Sequence, residues 1–284
     1  MPPVFPPWLP VPGTHALAYD GDDLLSPGNA PSMREWFAAI AAESKAFLRW
    51  LWWGRGPRVP WVRRVSAVVF AFALPIPVLL ILLFRFVPIP LTPQMIASLA
   101  TGGRLHHEWV AYRDIAPALG RAVIAAEDQK FCSHNGFDWQ SINKAIETHE
   151  RHPRRRLRGA STISQQAART IFLLPARSWV RKGMEAYLTV LIEALWPKQR
   201  ILSAYLNLVD WGHGNFGAEA AAENYFHKPA GALTAYEAAR LAAILPNPDE
   251  WHAVAAGPYV AARTGTLMGR MAAVSRDGLD ACVR

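Results

Sequence analysis

Glu127-Asp128-Gln129-Lys130-Phe131-Cys132-Ser133-His134-Asn135-Gly136-Phe137-Asp138 follows directly on the apolar run Ala122-Val123-Ile124-Ala125-Ala126. The apolar run reads as a buried helix, and the acidic pair at its end as a carboxylate presented to a cleft. A carboxylate held against apolar surroundings has a raised pKa and can act as a general base near neutral pH. An aromatic, a histidine, a glycine and a further acid fall within the same segment. That density of chemistry at a helix end marks Glu127 as the first candidate site residue.

Two further blocks lie downstream. Gly159-Ala160-Ser161-Thr162-Ile163-Ser164-Gln165-Gln166 contains a capping box, Thr162 with Gln165, so a helix begins there. A helix N-terminus is also a ready anion site. Arg181-Lys182-Gly183-Met184-Glu185 lies on a longer helical pattern. Spacings of three and four place Arg181, Lys182 and Glu185 on one face. Met184, Leu188, Leu191 and Leu195 read as that helix's apolar stripe.

The three blocks, in this order, resemble glycosyltransferase family 51, whose members polymerise lipid II into peptidoglycan. The likeness is to the monofunctional, membrane-anchored form, and it covers about residues 85–256. The resemblance implies a lysozyme-like, mainly α domain. It implies an inverting transfer that releases undecaprenyl diphosphate during cell wall biosynthesis. Glu127 matches the first catalytic glutamate, the base for the acceptor hydroxyl. Glu185 matches the second, which helps to hold the diphosphate through a metal or through basic side chains. Asp128, His134, Ser161, Thr162, Gln165, Gln166, Arg169, Arg181, Lys182 and Lys198 match positions that bind substrate or support the site. Arg169 and Thr170 stand where the family usually has Lys and Asn. Arginine keeps the cation and can grip phosphate bidentately. The implied cofactor is a divalent cation such as Mg or Mn at Glu185. The implied partners are lipid II, the growing glycan chain, membrane lipids and other wall-synthesis or division proteins.

The chemistry fits those residue types. An inverting transfer needs no enzyme nucleophile. It needs one base and positive charge around the departing diphosphate. A cleaving, lysozyme-like enzyme would have no use for the basic trio around Glu185. An idle scaffold would have no use for two motif carboxylates. Ser141-Ile142-Asn143-Lys144 mimics a penicillin-binding S-x-x-K motif. Its companion motifs are out of order and no room remains for a second domain, so transpeptidation is not expected.

Outside these blocks, Val65 to Phe84 is twenty residues with no charge and Ser66 as its one polar side chain. At about 1.5 Å per residue it spans roughly 30 Å, the thickness of a bilayer core. Lys45, Arg49, Arg55, Arg58, Arg63 and Arg64 precede it; Arg85 and Arg104 follow. Positive flanks stay cytoplasmic, so the main domain is expected on the outer, periplasmic face of the inner membrane. The expected division is residues 1–60 as a cytoplasmic extension, 61–87 as the anchor, and 88–284 as the glycosyltransferase domain. Met33 to Trp53 reads as an interfacial helix on the cytoplasmic leaflet or as a packing helix for a partner. The net charge of +8 suits anionic headgroups or a diphosphate. The outward orientation and the lack of any nucleic-acid motif argue against DNA or RNA.

Helices are expected at about 93–100, 116–130, 139–150, 162–173, 178–195, 198–208, 217–226 and 234–245. Glu108 to Tyr112 is a modest strand candidate. Residues 149–159 form a basic loop carrying Arg151, Arg154, Arg155, Arg156 and Arg158. Cys132 and Cys282 are too few and too far apart for a disulfide framework, and Cys132 reads as a spectator thiol.

Overall fold

The end of the apolar run at Glu127 coincides with the end of a helix. In the computed structural model, which describes residues 75–152, 161–176 and 178–284, that helix covers Pro117–Glu127. Its residues Leu119, Gly120 and Ala122 to Ala125 are all buried. A helix apolar on most sides has nowhere to go but the core. It is α3 of ten α-helices among the described residues. The others are α1 Pro75–Phe84, α2 Pro93–Ala100, α4 Trp139–Arg151, α5 Ile163–Phe172, α6 Trp179–Leu195, α7 Lys198–Leu208, α8 Ala218–Phe226, α9 Ala235–Ile244 and α10 Pro258–Arg276.

Two helix groups make the core. In one, α3, α9 and α10 pack against one another; in the other, α5 packs on both α6 and α7. Alanines 122, 125, 238, 239, 242 and 243 are buried in the first group, and such small side chains permit close helix approach. The expected capping box of Thr162 with Gln165 forms on α5, and Thr234 with Glu237 forms the same kind on α9. Pro197 is the N-cap of α7, as a residue that ends one helix and starts the next.

Four expectations are corrected. Glu108 to Tyr112 is not a strand. The strands among the described residues are β1 His106–His107 and β2 Asn215–Phe216, paired in parallel. The Asn207 side chain takes the place of a neighbouring strand. Its Oδ1 accepts from Val110 N at 2.9 Å and its Nδ2 donates to Val110 O at 3.1 Å. Next, α10 lies where no helix was expected. Its buried residues Val260, Thr264, Leu267, Met271 and Val274 follow a helical spacing broken by one polar residue. The Thr264 hydroxyl donates to Val260 O at 2.7 Å, which makes burial tolerable. Met184 is not part of the buried stripe of α6. It is exposed, and the buried positions are Glu185, Leu188, Thr189 and Ile192. Lastly, Cys132 is not a spectator thiol: it is disulfide-bonded to Cys282.

The expected anchor, 61–87, falls mostly outside the described residues, as do the helix expected at Met33 to Trp53 and Arg154 to Arg158. Among the described residues no helix is long and apolar enough to cross a membrane. The described end of the apolar run, α1, rests on α6. Its terminal carbonyls find side-chain donors. Trp196 Nε1 donates to Ile81 O at 2.7 Å; Arg200 donates to Phe84 O at 2.9 Å and to Val87 O at 2.7 Å. The guanidinium lies 4.9 Å from the Trp109 ring centre and 5.5 Å from that of Trp196. Helix ends leave carbonyls without partners, and a stacked arginine fork satisfies several at once.

Candidate active site

Glu127 sits where α3 ends against the second helix group. It is half-buried. Gln166 of α5 donates from Nε2 to Glu127 Oε2 at 2.9 Å, and Tyr205 of α7 donates its hydroxyl to Gln166 Oε1 at 3.2 Å. The direction of this relay follows from chemistry. An ionised carboxylate only accepts, so the amide must turn its NH2 to Glu127 and its oxygen to the phenol. Burial holds the Tyr205 phenol proton well above its ordinary pKa; the charge of Glu127 adds to this and Arg169 opposes it. Tyr205 therefore remains a donor, and Glu127 is held in one orientation by three helices.

The segment after Glu127 is braced from below. Asp128 is buried and accepts from Ile163 N at 3.0 Å, at the first turn of α5. The same carboxylate accepts from His134 Nε2 at 3.0 Å. Gly136 has φ of +89°, and a Cβ there would lie 2.8 Å from Thr189 Cγ2. Glycine is needed for both reasons. Gly136 O accepts the Thr162 hydroxyl at 2.6 Å. Lys198 donates to His134 O at 2.6 Å, pairs with Glu193 at 2.7 Å and lies 4.6 Å from the centre of the Phe131 ring. Ser164 also donates to Glu193. The loop thus rests on Thr189 and Glu193 of α6, on a row that continues back to Glu185.

On that row, Glu185 is buried and paired with Arg181 at 3.2 Å and with Lys182. The shared face of the trio is as the spacing implied. Arg181 also lines an open cleft of about 400 Å³ with Gln94, Arg169, Leu173, Leu174, Pro175 and Ala176. Arg169 lies one turn beyond Gln166 on α5, so the cleft begins beside the relay that holds Glu127.

The expected site residues therefore divide. Gln166, Arg169, Arg181 and Lys182 keep polar surface toward solvent, as does Ser161. Asp128, His134, Thr162, Gln165 and Lys198 are occupied by internal partners and act as supports. Two residues had no assigned role. They are Tyr205, which donates to Gln166, and Glu193, which pairs with Lys198 and accepts from Ser164. The signal for Glu193 was the four-residue step from Glu185 through Thr189.

A divalent cation held by Glu185 does not fit this arrangement. Its two oxygens already face Arg181 and Lys182. Among the described residues no group of three His, Cys, Asp or Glu could hold a metal.

A sequence model described as Transglycosylase matches residues 93–272, which contain every element of this site. The chain belongs to the transglycosylase family. It is 50% identical over 200 residues to the biosynthetic peptidoglycan transglycosylase of Caulobacter vibrioides, covering 70% of this chain and 86% of that protein. The protein of the same name from Rhodospirillum centenum is 48% identical over 226 residues, 79% of this chain and 97% of that one. That from Bdellovibrio bacteriovorus is 44% identical over 204 residues, 70% and 81%. This transglycosylase is accordingly an enzyme of the glycosyltransferase class.

Proposed function

We propose that this transglycosylase builds peptidoglycan by polymerising lipid II. Glu127 takes the proton from the acceptor hydroxyl, whose oxygen attacks the anomeric carbon with inversion. The bond to the diphosphate breaks, and undecaprenyl diphosphate leaves. Arg169, Arg181 and Lys182 carry the positive charge that the leaving group needs, with Glu185 fixing the last two. One observation carries the reading. A half-buried glutamate is held by a directed relay, one helical turn from an arginine that opens onto a cleft with a second arginine.

The reading extends to placement. Leu79, Leu83, Phe86 and Val87 around α1, Leu99 of α2, and Trp179, Val180 and Met184 of α6 are all exposed. Exposed apolar side chains of this size suit contact with a lipid phase, as does the uncharged run that ends in α1. A disulfide suits an oxidising compartment outside the cytosol. The domain would then lie beyond residue 88 on the periplasmic side, its single anchor running inward, near whatever wall-synthesis proteins share that face.

The test is Glu127→Gln in a polymerisation assay with labelled lipid II. The change keeps size and removes the base. The expected loss is at least about 10²-fold, with the circular dichroism spectrum and lipid II binding preserved. Near-parental turnover would refute the assignment.

A further inference from the structure

The family match ends at residue 272, yet the chain beyond it reaches back to the site. The turn Ala281–Val283 packs on the turn Phe131–Ser133 and on α7. Three kinds of contact fasten it. Cys282 is bonded to Cys132, five residues after Glu127 and two before His134, and Cys282 N donates to Cys132 Sγ at 3.3 Å. Asp280, buried, accepts from Arg121 of α3 at 2.8 Å and from Arg284 at 2.5 Å. Val283 is buried and its carbonyl accepts from Gln199 of α7 at 3.5 Å. This short segment therefore grips the helix that ends in Glu127, the loop that follows it, and the helix that carries Lys198 and Tyr205.

We propose that Asp280–Arg284 is a positioning element for the loop 128–138, and that the working geometry of Glu127 depends on the Cys132–Cys282 bond. The inference rests on the reading of Glu127 as the base. Phe131 is buried beside Cys132 and lies under the Lys198 ammonium. Releasing Cys132 frees the turn that seats this ring, and with it the carbonyl and imidazole of His134 that meet Lys198 and Asp128. A dithiol reductant would pass two electrons to the S–S bond. Two thiols result, and the reductant becomes a cyclic disulfide. In a reducing compartment the enzyme would stay slow; it would reach full rate once oxidised.

The test compares purified full-length protein in three forms: oxidised parent, parent reduced with dithiothreitol, and the double variant Cys132→Ser with Cys282→Ser. Lipid II polymerisation is measured at a temperature well below each form's melting point. Reduced parent and double variant are expected to share a kcat roughly tenfold below that of oxidised parent, because sub-ångström misplacement of a base is costly. KM should change little. Oxidised glutathione should restore the reduced parent and leave the double variant unchanged. Asp280→Asn loosens the same segment with both cysteines intact and should give an intermediate kcat, which keeps the test decisive if the double variant does not fold. Equal kcat for oxidised and reduced parent would overturn the inference, and so would loss of the fold on reduction. Should Glu127→Gln remain active, the underlying reading fails; if that variant is inert while reduction changes nothing, this inference alone fails.

Discussion

A single amide decides how Glu127 is aimed. Gln166 gives its NH2 to the carboxylate, which can only accept, and its oxygen to the Tyr205 phenol, whose proton burial keeps in place for donation. Tyr205→Phe removes the acceptor's partner without changing the packing volume. The amide still turns its NH2 to the carboxylate, but its oxygen loses the contact that anchors its other end, so the donor to Glu127 is held less rigidly. Turnover is expected to fall roughly tenfold, the equivalent of about 1.4 kcal/mol or one hydrogen bond. KM for lipid II should hold, since Tyr205 is buried. A fall in KM-dependent terms alone, with kcat unchanged, would contradict the relay. The family resemblance assigned roles to Glu127 and Gln166 but none to the phenol behind them. A tyrosine two helices away through the relay has no local signature.

Helix caps separate stability from function at the level of elements. Thr162 and Thr234 make the same kind of capping box. Thr234 serves only its own helix start, α9. Thr162 also donates to Gly136 O and so couples α5 to the loop after Glu127. Replacing either by alanine should cost about 1 kcal/mol in urea melts. Thr234→Ala should leave turnover at the parental level, whereas Thr162→Ala should lower kcat as well. Equal turnover in both variants would mean that the Gly136 contact does not matter. The caps themselves were legible as sequence pairs three apart. The second duty of Thr162 was not, because its partner lies 26 residues away.

Across the whole molecule, the C-terminal segment is an electrostatic as well as a covalent fastening. Burial alone would raise the Asp280 carboxyl pKa. Hydrogen bonds from Arg284 and Arg121, with their charges, outweigh it and hold the group below its ordinary value. A carboxyl with a depressed folded pKa stabilises the fold above its unfolded pKa, and that contribution is lost as pH falls through the folded value. Asp280→Asn should therefore lower the melting temperature at neutral pH. The gap from the parent should shrink below about pH 4, the ordinary aspartate range, as the parent's own carboxyl protonates. A gap independent of pH down to that range would assign the effect to packing instead. The disulfide closes a separation of 150 residues, and in the chain-entropy model a long loop constrains the unfolded chain most.

The ends of α2, α4 and α7 were readable to within a residue because their signals are local. Thr92 with Pro93, Asp138 ahead of Trp139, and Pro197 ahead of Lys198 each act through bonds a few residues long. The shared face of Arg181, Lys182 and Glu185 followed for the same reason, since the helical repeat alone sets it. The sequence also carried the family motifs, and with them the choice of Glu127. Packing decided the rest. A polar residue in the buried face of α10 hid a helix whose hydroxyl is satisfied one turn back. The amide of Asn207 took the hydrogen bonds that a strand at Val110 would have needed. Cys132 met Cys282, and Lys198 met His134, because folding brought distant segments together. Periodicity and caps are properties of neighbours along the chain. Which buried polar group answers which other, across tens of residues, depends on three-dimensional proximity that no local pattern encodes.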